Sequence, residues 1–225
     1  MGKDKLRRFE ENKTFSNLFQ ADFCDVAQED YALKGKWASH VFKNDRPIIL
    51  ELGCGKGEYT LALARRNPSL NYMGVDIKGA RLWRGAKTAL NESLPNVAFL
   101  RTRIELIDRF FAPNEIAEIW ITFPDPQPKR ENKRLTCPRF LERYLTFLQP
   151  SALIHLKTDS RELHDYTVET AQTLPQFRLE FANPDIYKEG PLPESDILSV
   201  QTFYEAQFRA QGKPITYLRM VVTGK

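Results

Sequence analysis

Acidic residues beside glycines mark the first place in the chain where chemistry is expected. Glu51 ends a short apolar run and precedes Gly53, Gly55 and Gly57, and Asp76 ends the next apolar run. A carboxylate before a glycine turn repels a pyrophosphate but suits a cationic ligand without phosphate, such as S-adenosylmethionine. An acid after the second strand accepts hydrogen bonds from ribose hydroxyls. The loop is neither a Walker loop nor a G-x-G-x-x-G motif, so the pattern predicts a site for a positively charged nucleoside. The alternatives are a plain strand-to-helix turn and, for Asp76, a helix N-cap.

A proline-rich segment carries the next candidate acid. Residues 123–128 read F-P-D-P-Q-P, and the three prolines predict a rigid extended loop with few backbone N–H groups to compete for the Asp125 carboxylate. The following window, 129–143, has six basic and two acidic residues, and this surplus of +4 equals the net charge of the whole chain. Beside a site, such a surplus favours phosphate contacts; a solvated helix face is the alternative.

Two later segments supply further candidates. Asp159 follows a predicted strand and is expected either at the same edge as Asp125 or as the N-cap of the next helix. Residues 202–205 read T-F-Y-E, a polar and aromatic stretch that is equally typical of an ordinary helix start.

Alternating strands and helices must position these residues. Apolar runs predict strands at residues 47–52, 71–76, 97–101, 116–123 and 151–158, and helical spacing predicts helices at 59–67, 79–92, 105–111, 140–148 and 161–174. Five such alternations predict an α/β fold, a doubly wound and mostly parallel sheet with helices on both faces. Ligands bind beyond the carboxyl ends of such strands, where the candidate acids fall. Residues 1–45 are predicted to form an N-terminal helical extension, with Phe15, Leu18 and Phe19 at near-helical spacing, and residues 46–225 one catalytic domain.

Composition excludes several classes of protein. The chain has 225 residues, 42% of them hydrophobic and 28% charged, which is ordinary globular usage. Its three cysteines form no C-x-x-C pair and its three histidines lack ligand spacing, so neither a disulfide framework nor a metal site is predicted. No secretory signal, lipidation motif or membrane-length apolar run is present. We therefore expect a soluble, cytoplasmic protein without membrane contact.

Taken together, the motifs resemble those of bacterial tRNA (guanine-N7)-methyltransferases. The resemblance runs from about residue 46 to residue 221 and is carried by E-L-G-C-G-K-G at 51–57, G-V-D at 74–76, F-P-D-P at 123–126, K-R-L-T at 133–136, H-L-K-T-D at 155–159 and T-F-Y-E at 202–205. The glycine loop alone is unspecific, whereas the combination of P-D-P, the basic stretch and K-T-D is specific to this family.

The resemblance implies a class I, Rossmann-like methyltransferase that transfers a methyl group from S-adenosylmethionine to N7 of the variable-loop guanine, position 46, of tRNA. It implies cofactor contacts from Glu51, Gly53, Gly55, Asp76 and Asp125, with Asp125 also in the catalytic position. Substrate contacts are implied for Lys129, Asp159, Thr202, Phe203, Tyr204 and Glu205. Two positions depart from the family: Gln127 replaces a tryptophan, and Arg103 replaces the acid near the adenine, so neither contact is carried over.

Guanine N7 has a free lone pair and no proton to remove, so the reaction needs alignment rather than a general base. We expect Asp125 and Asp159 to position the base and stabilise the positive charge that it gains. For tRNA phosphates we expect contacts from Lys129, Lys133, Arg134 and the N-terminal Lys3, Lys5, Arg7 and Arg8.

Other interpretations stay open at this point. They are a methyltransferase for another substrate, a non-catalytic RNA-binding protein on the same fold and, less favoured by the glycine spacing, a nicotinamide-dependent oxidoreductase. The sequence does not decide the oligomeric state, and both a monomer and a homodimer are compatible with it.

Overall fold

One sheet of eight strands forms the centre of the molecule. The computed structural model describes residues 3–188, 192 and 195–224. The strand order is β1-β4-β3-β2-β5-β6-β8-β7, and every pair is parallel except those that involve β8. The strands are β1 Leu18–Gln20, β2 Ile48–Leu52, β3 Asn71–Asp76, β4 Val97–Arg101, β5 Ile116–Thr122, β6 Leu148–Thr158, β7 Phe177–Asn183 and β8 Thr216–Val222.

Helices cover both faces of this sheet. They are α1 Lys3–Asn12, α2 Phe23–Gln28, α3 Glu58–Arg66, α4 Gly79–Asn91, α5 Pro138–Leu145, α6 Arg161–Thr173, α7 Ser195–Leu198 and α8 Phe203–Ala210. Single helical turns of other types span Trp37–Phe42, Ile104–Arg109 and Glu131–Lys133. Apolar residues of α3 and α4 pack on one face, and those of α5 and α6 pack on the other.

This architecture confirms the predicted fold class. Strands β2 and β3 are buried along their whole length because helices shield both faces of a parallel sheet. The switch in strand order lies between β2 and β5, whose carboxyl ends carry the glycine turn and the P-D-P loop. In open α/β sheets, ligands bind at such a switch point.

The N-terminal residues are tied to the sheet. Leu18 and Phe19, for which helical spacing was predicted, lie in strand β1, which pairs with Phe99–Arg101 of β4. Pairing of this kind covers an edge strand that would otherwise expose unpaired backbone groups, and it overrides the local helical pattern. Trp37 is fully buried and donates from its indole nitrogen to the Phe110 carbonyl at 2.7 Å. The described part of this segment, residues 3–45, therefore contributes to the sheet and the core. The division of the chain into residues 1–45 and 46–225 stays a prediction.

Strands β7 and β8 have no counterpart in the sequence-based prediction. Strand β8 inserts antiparallel between β6 and β7, and its residues are nearly all buried. Among the residues described, no helix is both long and apolar enough to cross a membrane.

Candidate active site

The glycine turn after β2 has a backbone that only glycine adopts without strain. Gly53, Gly55 and Gly57 have φ values of 78°, 58° and 72°, all in the left-handed region. A Cβ at Gly57 would lie 2.5 Å from the Phe99 ring, whereas nothing lies within 4 Å of the Cβ position at Gly53 or Gly55. The first two glycines therefore border open space, and the third permits close packing.

Glu51 lies buried directly beneath this turn. Its carboxylate accepts hydrogen bonds from the Thr122 hydroxyl at 2.6 Å, from the Thr60 amide at 2.8 Å and from the Thr60 hydroxyl. Burial raises the pKa of Glu51 to about 7. Because burial penalises its ionised form, a cation in the adjoining space would stabilise Glu51 as the carboxylate.

Asp76 supports the same turn from β3. It accepts from the Gly55 amide at 2.9 Å and from the Lys78 amide at 2.7 Å. Helix α4 begins at Gly79 with Lys78 as its N-cap residue, and no side chain caps it. The alternative interpretation of Asp76 as a helix N-cap is therefore wrong.

Two clefts meet at Gly53 on the carboxyl edge of the sheet. The first cleft is lined by seven of the residues that the sequence predicted for the site. They are Glu51, Gly53, Gly55, Asp125, Thr202, Phe203 and Tyr204. The other runs past Asp76, Thr102 and Arg103 toward Lys133 and Phe140. We call the first the catalytic cleft and the second the nucleoside cleft.

The P-D-P loop forms one wall of the catalytic cleft. Phe123 and Gln127 lie in the left-handed region with φ values of 48° and 46°, and the Phe123 amide donates to the Lys157 carbonyl at 2.8 Å. Asp125 is exposed, and its carboxylate accepts from the Gln127 amide at 3.1 Å. The expectation that few backbone donors compete for Asp125 thus needs one correction, because Gln127 supplies such a donor.

Arg134 has a different place from the one expected. Its side chain is 1% exposed; the guanidinium donates to the Pro126 carbonyl at 3.1 Å, pairs with Glu162 and lies 4.4 Å from the Tyr166 ring centroid. The assignment of Arg134 to tRNA phosphates is therefore wrong, because the guanidinium is buried and its donors are used to hold the P-D-P loop. Lys129 and Lys133 are exposed, as a phosphate contact would require.

The start of α8 forms the opposite wall. Thr202 is the N-cap and its hydroxyl accepts from the Glu205 amide at 3.3 Å, so this segment is also an ordinary helix start. Phe203 and Tyr204 nevertheless remain 52% and 43% exposed beside the cleft. The Phe203 amide donates to Glu58 at 2.8 Å, which ties this wall to α3.

Glu205 lies behind that wall and is fully buried. It pairs with Lys157 at 2.8 Å and accepts from the Tyr187 hydroxyl at 2.8 Å. The same Lys157 ammonium donates to the Leu198 and Val200 carbonyls at 2.8 and 3.0 Å, and burial lowers the pKa of Lys157. In this conformation Glu205 does not line the cleft, and its direct contact with substrate stays a prediction.

Asp159 follows β6 at the same edge of the sheet as Asp125. It pairs with Lys213 at 2.8 Å, and the Lys213 ammonium lies 4.6 Å from the centroid of Phe208, a cleft residue. Ser160 caps α6 by accepting from the Leu163 amide at 3.2 Å, so the N-cap alternative for Asp159 is wrong.

Sequence reasoning missed several residues of the site. Thr60 and Thr122 satisfy the Glu51 carboxylate, and Arg81 lines the catalytic cleft from α4. Of these residues, only Thr122 carried a signal in the sequence, because it comes directly before the F-P-D-P segment at 123–126.

A mostly parallel sheet with an acid beneath a glycine turn, an acid at the end of the next strand and a cleft at the switch point is typical of the class I methyltransferase fold. Solved structures agree at the level of fold. A 16S rRNA methyltransferase, KamB, matches 83% of this chain and 92% of its own with a TM-score of 0.61 at 15% identity. A geranyl diphosphate C-methyltransferase from Streptomyces coelicolor, solved with S-adenosyl-L-homocysteine, matches with a TM-score of 0.53 at 12% identity, covering 84% and 74% of the two chains.

Sequence relatives narrow the class to one family. The family described as "Putative methyltransferase" matches residues 45–218. A tRNA (guanine-N(7)-)-methyltransferase from Christiangramia forsetii is 53% identical over 98% of both chains. A second, from Bacteroides thetaiotaomicron, is 46% identical over 97% of this chain and 86% of its own. This chain belongs to the tRNA (guanine-N(7)-)-methyltransferase family.

Proposed function

We propose that this protein transfers a methyl group from S-adenosylmethionine to N7 of the guanine at position 46 in the variable loop of tRNA. The observation that carries the proposal is the catalytic cleft, in which Glu51 beneath the glycine turn and Asp125 in the loop after β5 face the aromatic wall of Phe203 and Tyr204. Relatives that match nearly the whole chain are named for this reaction.

The two clefts fit the parts of S-adenosylmethionine. The buried Glu51 suits a cationic centre, and the open space beside Gly53 and Gly55 admits a ligand against the backbone. Asp76 lines the nucleoside cleft and in this proposal accepts from ribose hydroxyls. Thr102 and backbone groups near Arg103 border the region beyond. When bound, the cofactor supplies a methyl group activated by its sulfonium sulfur.

The residues of the catalytic cleft orient the acceptor base. Phe203 and Tyr204 offer exposed aromatic faces on which an unstacked base of RNA can rest. Asp125 accepts from the donors on the guanine edge and stabilises the positive charge that the ring gains. Since N7 holds no proton, orientation is the main contribution, and well-placed reactants gain about 7–11 kcal/mol from it.

The remaining predicted residues act around this cleft. Lys129 contacts phosphate, and Asp159 contacts the base once Lys213 moves aside. Glu205 contacts the substrate or, through Lys157, holds the Leu198 and Val200 carbonyls in the segment that leads into α8. Because tRNA is the substrate, the proposal also places the enzyme in the cytoplasm.

Isotope-labelled methyl transfer tests the proposal. The wild-type protein, S-adenosylmethionine carrying a labelled methyl group and an unmodified tRNA transcript are incubated, and the nucleosides are then separated. We expect label in 7-methylguanosine. Saturable cofactor binding without transfer would instead indicate a different acceptor, and no cofactor binding would indicate a pure RNA-binding protein.

A further inference from the structure

A second groove opens beside the catalytic cleft, along α4. Lys56, Glu58 and Arg81 line both the cleft and the groove, so the two are continuous. The groove has a volume of about 670 Å³ against about 240 Å³ for the cleft. It thus has room for more than a single base.

Five cations line this groove against one carboxylate. They are Arg8, Lys56, Arg65, Arg81 and Arg84, and the acid is Glu58. Glu58 already accepts from the Phe203 amide, and Arg65 is neutralised by two hydrogen bonds of 2.7 Å to Glu92.

Among the residues that the structure describes, three of these cations have no carboxylate partner. Within the described part of the chain, Lys56, Arg81 and Arg84 make no ion pair, although Lys56 lies 4.9 Å from the Phe203 ring centroid. Arg81 and Arg84 are three residues apart on α4, which places them side by side on the helix surface. They form a row that leads from the lip of the cleft along the helix.

Helix α1 adds the far side of the groove. Glu11 on α1 accepts from the Trp83 indole at 2.7 Å and from Lys87 at 3.1 Å, which docks α1 onto α4. Arg8 stacks on Trp83 at 4.8 Å and is 3.6 Å from Asp4, so its charge is only weakly offset. The N-terminal segment thereby presents a cation to the groove.

We propose that this groove binds the phosphate backbone of the tRNA that the cleft methylates, an inference that rests on the proposed function. The unpaired cations attract a polyanion, and the groove continues from the cleft that takes the base. The exposed Lys129 and Lys133 lie on the P-D-P side of the cleft. The guanine is therefore held between two cationic surfaces.

The test measures tRNA affinity as a function of salt. We compare the wild type with Arg84→Ala and Arg81→Ala/Arg84→Ala, and use Lys36→Ala as the matched control. Lys36 is exposed at the opposite edge of the sheet, next to residues held by Glu115. Loss of one phosphate contact should weaken binding about three- to tenfold and lower the slope of log affinity against log salt by about one. The double variant should lose more, and Lys36→Ala should match the wild type.

A measurement on the unmodified wild type removes any dependence on variant folding. Bound tRNA should protect Arg81 and Arg84 from phenylglyoxal, detected by mass spectrometry, but not Arg178, which is exposed at the start of β7. The groove inference is overturned by the following result in an enzyme that does methylate tRNA. Both variants bind tRNA with the affinity of Lys36→Ala, and bound tRNA leaves Arg84 reactive toward phenylglyoxal. If the wild type forms no 7-methylguanosine, the proposed function itself fails.

Discussion

At the scale of single residues, Asp125 is the side chain on which the chemistry depends most. It is exposed in the catalytic cleft and retains acceptor capacity beyond its bond from the Gln127 amide. We predict that Asp125→Ala reduces turnover at saturating tRNA by about 100-fold or more, because the base loses a group that orients it and stabilises its charge. Binding of S-adenosylhomocysteine, measured by calorimetry, should change far less. An unchanged rate would remove Asp125 from the mechanism.

The raised pKa of Glu51 makes a second residue-level prediction. The carboxyl releases its proton near pH 7, so its negative charge appears as the pH rises from 6 to 8. The negative charge strengthens the binding of a cationic ligand and does not strengthen the binding of a neutral one. The affinity ratio of S-adenosylmethionine to S-adenosylhomocysteine should therefore rise roughly tenfold across this range.

Glu51→Gln is the control for this titration. Glutamine has no charge to gain, so this variant isolates the part of the pH dependence that comes from other groups, including the ligands' own amino groups. The roughly tenfold rise in the ratio that is assigned to Glu51 should be absent in Glu51→Gln, as calorimetry at each pH would measure. A wild-type ratio that did not depend on pH would show that Glu51 does not face the sulfonium.

At the scale of elements, Arg134 fixes the P-D-P loop to α6. Its guanidinium joins the Pro126 carbonyl to Glu162 from a buried position. Arg134→Lys keeps the charge but cannot span both partners with one planar group. We predict that turnover falls about tenfold or more, because the loop that carries Asp125 is held less firmly in the transition state. The salt dependence of tRNA binding should not change. If the slope of log tRNA affinity against log salt were lower in Arg134→Lys, Arg134 would have to contact phosphate after all.

The wall formed by α8 depends on a buried ion pair. Lys157 pairs with Glu205 and also holds the Leu198 and Val200 carbonyls. Lys157→Met leaves a buried carboxylate without its partner, so we expect a loss of about 3–5 kcal/mol in the free energy of unfolding. The double variant Lys157→Met/Glu205→Leu should recover part of this stability, as chemical denaturation would measure.

Substrate kinetics of that double variant separate two roles of Glu205. If Glu205 only holds the wall, activity should return partly with stability. If it contacts the guanine directly, the Michaelis constant for tRNA should stay raised even though the protein is stable again.

At the scale of the whole molecule, the sequence predicted the elements that have strong periodic patterns. Strands β3 and β4 were predicted with their observed bounds, since both are short buried runs between clear turn residues. Strand β1 was missed because three residues acquire their strand geometry only by pairing with β4. Strands β7 and β8 follow the last strand–helix alternation, and nothing local indicates that β8 inserts antiparallel beside β6.

Site residues were predictable from the sequence where they stand at the carboxyl end of a predicted strand, because that position fixes the edge of the sheet at which they lie. Glu51, Asp76 and Asp125 follow or end parallel strands, and they reach the same edge for that reason. Burial was not predictable: Arg134 and Glu205 look like surface charges in the sequence, yet the fold encloses both and gives them internal partners. The α4 groove depends on the docking of α1, a contact between segments far apart in the chain.

Mapping the methylated nucleotide tests the central claim most directly. An unmodified tRNA transcript is treated with the wild-type protein and S-adenosylmethionine, and borohydride and aniline then cleave the RNA at 7-methylguanosine. The account predicts one cleavage, at guanine 46 in the variable loop, which disappears when that guanine is replaced by adenosine or when the enzyme carries Asp125→Ala. Cleavage at another position, or methyl transfer that leaves the RNA uncleaved, would contradict it.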